Sequence, residues 1–164
     1  MKKNLSIAAL ASVIMFFMLR WEGASLMSAI SPRGIVDLEF ADTPQRFNEL
    51  MNSWKLSVVR GNIWLDFLFI VSYVLFLSLA TEASAMKWPE GKIRFIGFWL
   101  ARAAYVAGIM DIAENLLMLQ SISGNETVHS LHLTSYCAAL KFFIIGILLL
   151  YLIISLPVLL RKTK

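Results

Sequence analysis

With 59% hydrophobic residues and a mean hydropathy of +0.70 over 164 residues, the chain exceeds the apolar content of soluble domains, which is about 45–50%. Its net charge of +4 comes from 15 basic against 11 acidic residues, and the basic ones sort by loop instead of forming one face, so nucleic acid is not an expected partner. A single cysteine, Cys137, excludes a dithiol relay within one chain, and the histidines, His129 and His132, lie too close in sequence to ligate haem from facing helices. No cofactor is expected.

The apolar residues gather into runs long enough to cross roughly 30 Å of hydrocarbon, which takes about 20 residues at 1.5 Å each. Residues 5–30, 62–81, 95–120 and 131–160 predict four transmembrane helices, arranged as an all-α antiparallel bundle in a single membrane domain over residues 1–164. The first run opens on Lys2 and Lys3 like a signal peptide, but no small-residue cleavage site follows its apolar part, Leu5 to Leu19, and it reads as a retained helix. Arg20 and Glu22 lie toward its outer end.

The connection over residues 31–61 has its own pattern. "GIVDLEFADT" at 34–43 sets Asp37, Glu39 and Asp42 together, an acidic stretch that would attract a cation but is also ordinary for a loop facing water. Thr43 suits a helix N-cap with Pro44 at the first helical position. Phe47, Leu50, Met51, Trp54 and Val58 then recur opposite Arg46, Asn48, Glu49 and Asn52. This predicts an amphipathic helix over about 44–58 at the outer interface, either a strap across the bundle end or a lid over an opening.

The second run carries Asn62, Asp66 and Tyr73 on one face. In the third, "GIMDIAENLLML" (108–119) places Asp111, Glu114 and Asn115 on one face with Ala104, Ala107 and Gly108, small residues that let a neighbouring helix approach. The acidic face therefore looks inward, while Arg102 lies on the opposite side and snorkels to the headgroups. Asp111 sits about 13 Å below the outer end of its helix by helical rise, and Lys141, in the stripe Ser130, Thr134, Cys137, Lys141 of the fourth run, about 15 Å below its own. Each charge near the bilayer centre costs roughly 2.5–3.5 kcal/mol unless paired. An Asp111–Lys141 pair is expected, with Glu114 one turn outward near Thr134 or Ser130.

Two readings of these groups stay open: a buried network that fixes helix register, or the lining of a cavity open to the outer face. The acids Asp66, Asp111 and Glu114 outnumber the bases Arg20 and Lys141, which asks for a proton, a hydrated carboxyl or a bound cation. The expected ligand-binding residues are Asp111, Glu114, Asn115, Lys141, Asp66, Tyr73 and Thr134, for a small cation, a proton or a lipid-like molecule. Asp111, Glu114, His129 and His132 have only permissive spacing for a metal, so no metal site is expected. Ser130 lacks the surroundings of a catalytic nucleophile. A membrane enzyme acting on a lipid or isoprenoid, with Asp111 or Glu114 as general acid or base, is an alternative. A subunit that packs on a membrane partner or a second copy is another.

Lys2, Lys3, Lys87, Lys92, Arg94, Arg161, Lys162 and Lys164 fall at the two ends and the second loop, whereas residues 121–130 hold no Lys or Arg. That asymmetry predicts cytoplasmic termini in the plasma or inner membrane. Asn125 to Thr127 would be a glycosylation acceptor on the outer side, relevant in a secretory compartment.

Overall fold

The structure is a computed structural model that describes residues 2–159. Leu160, with which the predicted fourth span closes, and the basic residues Arg161, Lys162 and Lys164 lie outside the described residues. The order is α1 (Lys2–Glu22), a 3₁₀ turn (Gly23–Leu26), α2 (Val36–Glu39), α3 (Pro44–Ser53), α4 (Leu56–Ala85), α5 (Lys92–Gln120), a wide turn (Ser121–Asn125) and α6 (Val128–Leu159). Among the described residues there is no strand, and four helical segments are long and apolar enough to cross a membrane: Lys3–Leu26, Leu56–Ala85, Lys92–Asn125 and Val128–Leu159.

Several helix ends differ from the sequence expectation, for identifiable reasons. The first α-helix stops at Glu22, well before residue 30, because Asn62 Nδ2 of α4 donates to Leu19 O at 3.2 Å and to Glu22 Oε2 at 2.7 Å, tying off the last turn. After the 3₁₀ turn the backbone becomes extended at Met27. The interfacial helix begins as expected, with Thr43 Oγ1 accepting the Arg46 N–H and Pro44 in the first turn, but it ends at Ser53 and not at 58. Trp54 is extended there because its indole turns under the cap, where Nε1 donates to Leu26 O at 2.8 Å and Ser31 Oγ at 3.2 Å. Val58 consequently belongs to α4, which starts six residues earlier than expected, at Leu56.

Two apolar cores hold the molecule. Leu26, Leu38, Phe47, Leu50, Val59 and Leu131 join the cap to the helix ends beneath it, and Ile70, Val74, Leu77, Ala104 and Leu148 join α4, α5 and α6 lower down. The α4–α5 seam pairs Asp66 with Asn115, Tyr73 with Asp111, Val74 with Gly108 and Ala85 with Gly97, residue numbers rising along one helix and falling along the other. It is tight: a Cβ on Gly108 would stand 2.6 Å from Val74 Cγ2. By contrast α1 packs along α4 and forms no comparable seam with α5 or α6. Only 6% of its span is buried, against 39% of α4. The result is a three-helix core with α1 held at one edge, so that α1 and α6 stand apart.

Candidate functional site

The inward face of α5 carries Asp111, Glu114 and Asn115, all buried. Their partners come from three other elements. Lys141 of α6 places Nζ 2.7 Å from Asp111 Oδ1 and 2.9 Å from Glu114 Oε1, and donates to both. Tyr73 of α4 donates its hydroxyl to the other Asp111 oxygen at 2.8 Å, and one turn outward Asn115 Nδ2 donates to Asp66 Oδ2 at 2.7 Å. The expected Asp111–Lys141 pair is present; Glu114 joins the same ammonium instead of reaching toward Thr134 or Ser130. Thr134 is buried but donates to its own helix at Ser130 O, 2.9 Å, and takes no part in the cluster.

Sequence reasoning missed the third carboxyl. Glu39, placed among loop acids, is 93% buried by the inward turn of α2, and its Oε2 lies 3.4 Å from Lys141 Nζ. That is ion-pair range without hydrogen-bond alignment, so this oxygen and Glu114 Oε2 are buried with no hydrogen-bond partner. The other loop acids have ordinary surroundings: Asp37 is tied to Arg33 and Asp42 is exposed. Nothing in the sequence separates Glu39 from them, because the difference lies in how the loop folds.

One ammonium thus faces three carboxyls, and full ionisation would leave two negative charges uncompensated in a buried place, so the cluster calls for protons or a cation. Burial pushes the Glu39 carboxyl above the ordinary carboxylate range, with Lys141 opposing and Asp111 reinforcing the shift. The native state therefore holds the Glu39 proton more tightly than the unfolded chain does. Its contribution to stability is complete below about pH 4.5, the unfolded glutamate value, and is lost as pH climbs through the raised native value. Glu39→Gln keeps position 39 uncharged at every pH, so its melting temperature in detergent is expected to fall less than the parent's as pH is raised; parallel curves would mean that Glu39 titrates like a hydrated carboxyl.

Beside the cluster lies a cavity of about 670 Å³. It runs between α1, α4 and α6 under the cap. Phe16, Phe69, Phe76, Leu77, Ile145 and Leu149 are among its apolar lining residues, and Glu39, Asp66, Tyr73, Asp111, Asn115 and Lys141 line it too. Glu114 and Thr134 lie behind that wall. Arg20, at the cap end, also lines the cavity and has no ion pair or hydrogen bond among the described residues. Of the residues expected to bind a ligand, the structure therefore gathers Asp66, Tyr73, Asp111, Asn115 and Lys141 on one cavity, keeps Glu114 as a partner of Lys141, and leaves Thr134 aside.

His129 and His132 are exposed near the start of α6, apart from the buried acids, and among the described residues no group of three or more His, Cys, Asp or Glu side chains is placed to hold a metal ion. Comparison with protein-family models, curated proteins and solved structures gives no match.

Proposed function

We propose that the chain is an integral membrane protein of four antiparallel spans that binds a lipid-like amphiphile in the cavity between α1 and α6. The polar end of the ligand lies at the Asp66–Asp111–Lys141 wall and its apolar chain lies along the aromatic and aliphatic walls. The supporting observation is that one mostly apolar cavity, at the edge where α1 leaves α6, also carries charged groups of α4, α5 and α6. Ligand pockets in general combine an apolar lining with a few convergent polar groups. The distribution of basic residues supports cytoplasmic termini in a plasma or inner membrane, with the cap on the outer side.

A second reading, proton transfer, is favoured by the hydrogen-bonded chain from the Tyr73 hydroxyl through Asp111 and Lys141 to Glu114, with Glu39 3.4 Å from the same ammonium. It uses the same residues and predicts pH-dependent turnover or flux that Asp111→Asn abolishes.

Filling the cavity tests amphiphile binding. Ala9 of α1 and Ile145 of α6 both line it. Ala9→Trp combined with Ile145→Trp is expected to remove most co-purifying lipid in native mass spectrometry while leaving the melting temperature of the delipidated protein close to the parent's. A parent protein that retains no lipid, or a filled variant that retains as much, overturns the reading.

A further inference from the structure

The cavity is lined by charged groups of both signs. On α1, Arg20 offers its whole guanidinium fork, and it sits near the helix end, where Leu19 and Glu22 meet Asn62. On α4, Asp66 lies four residues, about 6 Å, farther into the helix than Asn62. Only one of its oxygens, Oδ2, accepts a hydrogen bond, from Asn115. Glu39 also lines the cavity, but its unbonded Oε2 is shielded and lies 3.4 Å from Lys141 Nζ. The cluster's own ammonium is already divided among three carboxyls.

Resting on the amphiphile-binding reading, we infer that the headgroup is zwitterionic and carries a primary ammonium, as in a phosphoethanolamine lipid, with its phosphate at Arg20 and its ammonium at Asp66. A guanidinium fork matches a phosphate bidentately. The free Asp66 oxygen would gain a charge-assisted N–H donor from a primary ammonium, which a trimethylammonium lacks. An anionic glycerol headgroup would satisfy Arg20 and offer Asp66 neutral hydroxyl donors, but would bring it no positive charge.

Native mass spectrometry of the full chain in micelles holding equal amounts of dioleoyl phosphatidylethanolamine, phosphatidylcholine and phosphatidylglycerol separates these cases. Retention of phosphatidylethanolamine about tenfold over either competitor is expected, the worth of one charge-assisted hydrogen bond to a buried acceptor. Asp66→Asn, which preserves size and the contact with Asn115, should abolish that preference, and Arg20→Gln should weaken all three lipids together. Equal retention of the three by the parent, or a preference that survives Asp66→Asn, overturns the headgroup assignment while sparing amphiphile binding. No retention of any lipid overturns both. Should either variant fail to fold, the parent's preference alone decides.

Discussion

Replacing Lys141 by Met is expected to lower the unfolding free energy by about 3–5 kcal/mol, the usual result of removing one partner from a buried ion pair. The substitution keeps most of the length and the apolar character of the stem but leaves Glu39, Asp111 and Glu114 facing one another without a cation. The loss should be largely restored by adding Glu39→Gln, Asp111→Asn and Glu114→Gln together, because a cluster made neutral as a whole no longer holds unpaired charge. Denaturant unfolding in a mild detergent would measure both effects. A Lys141→Met protein as stable as the parent would mean that water reaches the carboxyls and solvates them, and the buried cluster would have to be given up.

Gly97→Ala is expected to cost about 1–3 kcal/mol, the range for overpacking a filled interior. Its Cβ would stand 2.7 Å from Ala85 Cβ and closer still to the Tyr151 ring and hydroxyl, which donates to Ile93 O at 3.3 Å. Both neighbours are buried, so neither can swing into open space. Combining Gly97→Ala with Tyr151→Phe should recover part of the loss, giving a coupling term in a double-mutant cycle. Additive effects would show that α5 simply shifts to make room.

How far the sequence led depends on the kind of information each feature needed. Asp111 and Lys141 could be matched because both lie on long helices, where a rise of about 1.5 Å per residue turns sequence position into depth; the 2.7 Å contact between them is the outcome. The facing of Asn115 and Asp66, and of Tyr73 and Asp111, follows from the same regularity on α4 and α5. Glu39 was illegible for the opposite reason. It belongs to a four-residue helix in an irregular segment, where no period relates number to position, and only the burial of Leu38 and the anchoring of Trp54 bring it inward. The early end of α1 was hidden likewise, since it depends on one side chain, Asn62, reaching across from another helix. Thr134 shared a stripe with Lys141, yet hydroxyls in helices commonly bond their own preceding turn, which is what it does.

The cap does two jobs with one length of backbone. The segment after α1 bears Glu39, so the connection that follows the least buried span also delivers the third acid to Lys141. Swinging α1 outward to admit a guest would tug on that segment and draw Glu39 away from its ammonium. On the proposed amphiphile-binding reading, entry past α1 would thus alter the charge balance around Lys141.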